Sequence, residues 1–461
     1  MSAILIAPQV IESSEEALNM NNEAPQAIPP KDPIREAMDR YLHRAMEIKF
    51  ATRVFIPAAS DVLKNRIKSA LSNYEDANTL LADTDPGRRA HGIKQLDEAT
   101  RKMRRLQYSD LPSVIESSLF LSLFSAFDVF TGELLRALHQ KKPALFNRLN
   151  RSVPLAEILS ANSLEDIKNS VLDEEIETFR RKSYVEQFEY LETTFKLELK
   201  KFDLWPNFIE AAQRRNLLTH CGGVVSEQYR STCLAAGYPS SKIANLGEVL
   251  KLGGEYFLPV CELMLEVGLK LGQTLWRKTL PDDIISADKH LLQAIYDALF
   301  IEQWDRARVF AEFAVGQKIV SNDKQRRFTI INLAIALKNL KLNDKVIVIL
   351  AQHDWSASIN EFRLAESILL DRNDEAITIM KRIGKVGELL SEHSYHAWPL
   401  FRTFRETEEF QQAYESIYGY AFITKLKSTA AETKQASLAL NSASNDDNSL
   451  KDESVDSEQI R

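Results

Sequence analysis

From Ile34 to Tyr418 the apolar residues recur at intervals of three and four, the period that lines one side of an α-helix. Helix breakers are too few to interrupt it, because the 461 residues hold only fifteen Gly and fifteen Pro. That pattern restricts the chain to an all-α fold. Met38, Leu42, Ala45 and Ile48 open it, and helical runs follow over 60–81, 88–106 and 113–139, the last announced by Pro112 at a helix start. Amphipathic runs over 164–179 and 184–202 come next. Pro206 then opens a helix over 207–220, which Gly222-Gly223 should stop. A loop through Pro239 leads to a helix over 254–276.

Composition shifts divide the chain. Residues 1–33 carry Pro8, Pro25, Pro29, Pro30 and Pro33 with little periodicity, and a disordered N-terminal arm is expected there. Residues 34–110 form N-terminal helices expected to pack on a helical core domain, 111–280. Pro281 and Asp282-Asp283 mark a boundary. Beyond it, 281–425 reads as short paired helices over 287–300, 304–315, 324–339, 344–352, 358–370, 374–383 and 397–418. The acidic, Ser-rich tail 426–461 is expected to be disordered. Four pieces recur: Trp304-Asp305-Arg306-Ala307, Asn343-Asp344-Lys345-Val346, Asn373-Asp374-Glu375-Ala376 and Phe410-Gln411-Gln412-Ala413, each with a small or β-branched fourth residue. Their spacings of 39, 30 and 37 residues bracket, without matching, the tetratricopeptide period of about 34. The region resembles a degenerate tetratricopeptide-like helical repeat, with a plain helical bundle as the alternative.

Apolar residues make up 44% and charged residues 27%, enough for packed cores. A net charge of −7 argues against indiscriminate coating of duplex nucleic acid. The basic residues are nevertheless clustered: between Arg88 and Arg151 twelve Lys and Arg face six acids. Arg101, Lys102, Arg104 and Arg105 are the densest part of that stretch and the expected RNA contacts, against the plainer reading of a solvated helix face. Cys221, Cys233 and Cys261 form no CxxC pair and leave one over, which suits free thiols in a reducing compartment, the cytoplasm. The N-terminus lacks a signal-peptide pattern, and no apolar stretch is expected to be long enough for a bilayer, so no membrane partner is expected. His393 and His396 stand at i and i+3 beside Glu392, but no further ligand has metal-site spacing. Neither metal nor cofactor is expected, and there is no phosphate-cradling GxxxxGK, GxSxG elbow or dinucleotide fingerprint.

The chemically pointed run is Arg215-Asn216-Leu217-Leu218-Thr219-His220. A guanidinium forks onto phosphate oxygens and stabilises the extra charge of a phosphorane-like transition state. An imidazole near neutral pKa, in the last turn of a helix, can shuttle a proton. Asn216 shares a face with His220 at i and i+4 and is expected to orient the ring or touch phosphate.

This string resembles the signature of the HEPN-family ribonucleases, an Arg followed by a polar residue with a His a few positions on. Gly222-Gly223-Val224-Val225 and Tyr229 resemble the loop that often trails it in bacterial members, and the 113–139 run resembles the first core helix of that fold. The likeness covers about 110–275. It implies a metal-independent endoribonuclease with Arg215, Asn216 and His220 as its catalytic residues, attack by the ribose 2′-hydroxyl, and a 2′,3′-cyclic phosphate product. Bacterial members are common as toxins and anti-phage effectors. Asp128 and Glu116, polar interruptions of an apolar helix, are expected supporting residues, with Tyr229.

Five residues on an ideal helix set Arg215 and His220 roughly 140° apart, too far to serve one phosphate from one chain. A two-fold homodimer through the motif helix, which the resemblance also implies, would let the Arg of one protomer meet the His of the other. Other partners would be RNA, and an antitoxin or other protein on the repeat region. Two alternatives stay open: the two cations merely complement a helix dipole, or the fold persists as a non-catalytic dimeric scaffold that binds RNA, nucleotide or protein.

Overall fold

The computed structural model describes residues 32–149 and 151–422. The chain is all-α: the described residues hold seventeen α-helices and five short 3-10 turns, and the only β feature among them is an isolated bridge between Val224 and Val249. In chain order the helices are α1 (Pro33–Leu81), α2 (Pro86–Gln107), α3 (Leu111–Lys141), α4 (Leu155–Ser160), α5 (Leu164–Arg181), α6 (Tyr184–Phe195), α7 (Trp205–His220), α8 (Glu227–Ala235), α9 (Gly253–Thr279), α10 (Ile284–Phe300), α11 (Trp304–Val315), α12 (Asp323–Asn339), α13 (Asn343–Ala351), α14 (Asn360–Leu369), α15 (Asn373–Ile383), α16 (Glu392–Ala397) and α17 (Glu408–Tyr418). The expected disordered arm and tail lie outside the described residues, apart from Asp32, whose carboxylate caps α1, and Pro33, which opens it.

Two compact units emerge. One comprises residues 32–291 with Gln317–Ser321, the other Leu292–Gly316 with residues 322–422, so the division falls inside α10. Pro281–Asp283, the expected boundary, is a single 3-10 turn between α9 and α10.

In the N-terminal unit α1 packs along α3 and α9 and pairs with α2. The two patterns expected at its start are one 49-residue helix that runs through Pro57. The proline is exposed, so water can satisfy the one carbonyl it leaves without an N–H partner. Tyr41 stacks on Phe130 at 4.6 Å between ring centroids and donates to the carbonyl of Met264 at 2.8 Å. Gly268 and Gly272 of α9 make that approach possible, because a Cβ at either would overlap Tyr41 or Met38. By length and composition alone the run Pro86–Lys141 is long and apolar enough to cross a membrane, although no stretch of that length was expected. Its apolar part is α3, whose Phe120, Leu123, Phe124, Phe127, Phe130 and Leu134 are buried in this unit.

Three further elements differ from expectation. The 184–202 run is helical only to Phe195, because Lys196 turns left-handed and Glu192 accepts the amides of Leu199 and Lys200. The loop before Pro239 contains α8, capped by Ser226 and seated on Tyr229 and Cys233. The 397–418 run breaks into α16, two 3-10 turns and α17, since Pro399 cannot continue a helix and Thr407 starts a new one by accepting the Phe410 amide.

The C-terminal unit is built of antiparallel helix pairs, and three connections share one geometry. Glu302, Lys341 and Asp371 each adopt a left-handed φ, of 60°, 64° and 58°. The next amide in each case returns to a carbonyl five residues back: Gln303 to Ala298, Leu342 to Leu337 and Arg372 to Ser367, at 2.8 to 2.9 Å. Ala307, Val346 and Ala376 then point into the core as the fourth residues of α11, α13 and α15. The fourth recurring piece, at Phe410, opens a helix from Thr407 without that turn.

Candidate functional site

Helix α7 carries the Arg215–His220 run and buries Phe208, Ile209, Ala211, Ala212 and Leu217. It ends at His220, as the Gly pair requires: Gly222 and Gly223 have φ of 57° and 82°, and Leu217 accepts the amides of Cys221 and Gly223 at 2.8 and 3.0 Å. Gly223 in turn accepts the Leu250 amide at 2.9 Å, and Val225 donates to Glu248 at 2.8 Å. A small core of Leu217, Val225, Tyr229 and Cys233 lies beneath. The C-terminal end of α7 is therefore pinned from several directions.

His220 is exposed on that pinned end, and its side chain makes no hydrogen bond to another described residue. Arg215 is half-buried. Its Nη1 donates to Asn216 Oδ1 at 3.1 Å, its Nη2 stands 3.9 Å from Asp128 Oδ2, and its buried Nε has no partner. Asp128, on α3, accepts from the Tyr184 hydroxyl at 2.8 Å, and its main-chain carbonyl accepts from Arg180 Nε at 3.0 Å. Burial raises the Asp128 carboxyl above the usual carboxylate range, against the Tyr184 hydrogen bond and the charges of Arg215 and Arg180. Burial, followed by the neighbouring Asp128, lifts the Tyr184 phenol well above its ordinary value.

The structure thus gathers Arg215, Asn216 and Asp128. The amide oxygen of Asn216 faces Arg215 rather than the His220 ring. Glu116 is half-buried on α3, twelve residues before Asp128 and so about 18 Å away along the helix. Tyr229 lies under α7, its hydroxyl on Glu210 at 2.8 Å. On α2, Arg101 pairs with Asp97, Lys102 donates to Ser69 Oγ at 3.3 Å, and Arg104 and Arg105 are exposed. His396 contacts the Tyr414 hydroxyl at 3.2 Å and stacks on Phe422 at 4.4 Å, and no group of three potential metal ligands occurs among the described residues. The three cysteines are free; Cys221 is exposed beside His220, and burial pushes the Cys233 thiol up to about 12.

Sequence reasoning passed over a second cluster on the same helix. Glu210 is only 2% exposed and accepts from Arg214 Nε and Nη2 at 2.9 and 2.7 Å, from Tyr229 at 2.8 Å and from Tyr256 at 2.6 Å. Arg214 also donates to the Lys251 carbonyl at 3.0 Å and lies 3.7 Å from the Tyr256 ring centroid. The i, i+4 spacing of Glu210 and Arg214 was the available signal. Likewise missed were Lys64, Arg66 and Lys68, which the antiparallel register of α1 and α2 brings to the level of Arg101–Arg105, since Lys102 meets Ser69.

Compared with family models, curated proteins and solved structures, the chain matches none.

Proposed function

We propose that this chain is a metal-independent endoribonuclease of the HEPN type, acting in the cytoplasm as a homodimer, with α3, α5, α7 and α9 as its HEPN-like bundle and the C-terminal helix hairpins as a tetratricopeptide-like regulatory region. Its biological setting is that of a bacterial toxin or anti-phage effector. The observation that carries the reading is the contrast along one turn and a half of α7: His220 stands bare on a rigid helix end, while Arg215 is held loosely, with an unpartnered buried Nε and a carboxylate no closer than 3.9 Å. An RNA phosphate would offer that guanidinium the two close oxygens it lacks. In the proposed reaction His220 of one protomer accepts the ribose 2′-hydroxyl proton, the 2′-oxygen attacks the adjacent phosphorus, and as the P–O5′ bond breaks the His220 imidazolium returns the proton to the leaving 5′-oxygen, with Arg215 across the seam neutralising the phosphorane charge. Asp128 and Tyr184 set the resting position of Arg215. The basic face of the α1–α2 hairpin, with Arg104, Arg105, Arg66 and Lys68 exposed, would guide the strand electrostatically.

Purified protein incubated with total RNA, with and without excess chelator, tests this beside His220→Ala. Cleavage that survives chelator and disappears in the variant supports it. Equal RNA integrity with the two proteins removes the catalytic claim.

A second reading is favoured by the contacts of Arg215 with Asp128 and Asn216 inside its own chain. In it the helical bundle is a non-catalytic dimeric scaffold that binds RNA, nucleotide or protein, and Arg215 is a tie between α7 and α3.

A further inference from the structure

The second half of α1 pairs with α2 as an antiparallel hairpin whose seam is built largely of small residues. Leu63, Ala70 and Ala77 of α1 and Gly92, Ala99 and Leu106 of α2 recur every seven residues, and all but Leu63 are buried. A Cβ at Gly92 would stand 3.1 Å from the Leu81 amide nitrogen and 3.2 Å from the Ala77 carbonyl oxygen, so the two backbones lie in close contact there. Lys102 donates to Ser69 Oγ, which fixes the register.

One side of this hairpin is apolar and largely uncovered. Ile67, Leu71 and Tyr74 of α1 and Ile93 of α2 are between 38% and 62% exposed, and Leu96 and Met103 of α2 are half-buried. Each lies about 40–100° from the seam in the same rotational sense, which in an antiparallel pair is the same side. Among the described residues α2 packs mainly on α1. Arg66 and Arg105 lie on the opposite side of the hairpin.

The rim of the apolar side carries four exposed charges in a two-fold pattern. Lys68 and Glu75 stand five residues after Leu63 and Ala70, and Asp97 and Arg104 five after Gly92 and Ala99. The register sets Lys68 level with Arg104, and Glu75 level with Asp97 about 10 Å nearer the turn. Asp97 also meets Arg101 on its own helix, an exposed pair of small worth. Stacking two such sides with the hairpins parallel would oppose Lys68 to Arg104 and Glu75 to Asp97. Antiparallel stacking, about a dyad level with Leu71 and Thr100, places α1 on α1 and α2 on α2 and gives every rim cation an acid. An anionic lipid surface or a nucleic acid would instead meet Glu75 and Asp97 as like charges.

We infer that this apolar side docks, antiparallel, on the same side of a second copy of the chain and closes a four-helix bundle. Leu71 of both copies lies at the dyad, Lys68 of each copy faces Glu75 of the other, and Arg104 faces Asp97. The seam is separate from α7 and does not depend on chemistry there.

A carbodiimide joins an amine to a carboxylate in contact with it. Applied to a mixture of unlabelled and isotope-labelled full chain, it should yield a Lys68–Glu75 peptide with one labelled and one unlabelled half, which excludes coupling inside one chain. Replacing both rim cations, Lys68→Glu with Arg104→Glu, opposes acid to acid four times and should weaken self-association at least about tenfold in sedimentation. Adding Glu75→Lys and Asp97→Lys to that variant should restore association, because the pattern is then reversed but again self-complementary. The cross-link uses the unaltered chain, so it decides the matter even if a variant fails to fold. Absence of the mixed-label peptide, unchanged association of the folded double variant, or a folded fourfold variant no tighter than the double one would each overturn the proposal.

Discussion

Arg214 and Arg215 are chain neighbours on α7, roughly 100° apart around its axis, and their guanidiniums meet opposite surroundings. Arg214 is enclosed: it binds Glu210 through two nitrogens, donates to the Lys251 carbonyl and lies over Tyr256. Arg215 meets its carboxylate only at 3.9 Å and leaves a buried nitrogen unused. A charge buried with full partners is a structural element, and removing one partner strands the other. A charge held with unfilled donors keeps its capacity for a ligand. The difference lets stability and activity be separated on a single helix.

The largest expected effect is on the enclosed side. Glu210→Ala strands Arg214 and removes the acceptor of two tyrosine hydroxyls, so it should lower unfolding free energy by about 3–5 kcal/mol, read by denaturant titration. A loss under about 1 kcal/mol would show that the network is not what holds α7 to α8 and α9. On the open side Arg215→Ala should cost no more than about 1 kcal/mol, and exposed His220→Ala should stay within about 0.5 kcal/mol of the parent, while both abolish RNA cleavage. An Arg215→Ala loss matching that of Glu210→Ala would make the two arginines alike and favour the scaffold reading.

Asp128 sharpens the comparison through pH. Its folded-state pKa is raised, mainly by burial, so the folded chain holds that proton more tightly than the unfolded chain does. Between the ordinary carboxylate value near 4 and the raised folded value, ionisation of Asp128 therefore lowers stability as pH rises. Asp128→Asn lacks this loss. Its stability relative to the parent should climb as pH rises through that window and then level off, as thermal unfolding at several pH values would register. A flat difference would show that Asp128 titrates in the fold as it does in the unfolded chain.

The smallest effect expected concerns the helix hairpins. Lys341→Gly removes a side chain from a left-handed position and should raise stability by up to about 1 kcal/mol, where a glycine inside any helix would lower it. A decrease in the melting temperature would mean that the Lys341 side chain contributes more than its backbone strain costs.

Much of the fold was legible because local rules governed it. Pro112, Pro206 and Gly222-Gly223 bound the helices they were expected to bound. The recurring pieces at Trp304, Asn343 and Asn373 coincide with three copies of one left-handed turn. The misreadings arose where a local signal was overruled. Pro57 did not break α1, because its lost bond faces solvent, and Lys196 ended α6 without a glycine or proline to announce it. In the site, Arg215 and Asn216 could be named through the resemblance of their run to a known signature, and Asp128 from interrupted apolarity. Glu210 offered only its i, i+4 spacing to Arg214, and Tyr184 and Tyr256 offered nothing, since their meeting depends on how α3, α6, α7 and α9 pack, which no single helix encodes.

The central claim is that Arg215 and His220 together form an RNA-cleaving centre, each supplied by a different protomer. Arg215→Ala and His220→Ala proteins, each inactive alone, should be mixed, allowed to exchange subunits, and assayed on RNA beside the parent. The account predicts that the mixture regains part of the parent's rate, because a heterodimer retains one intact Arg–His pair. A mixture as inactive as its components, beside an active parent, would contradict it.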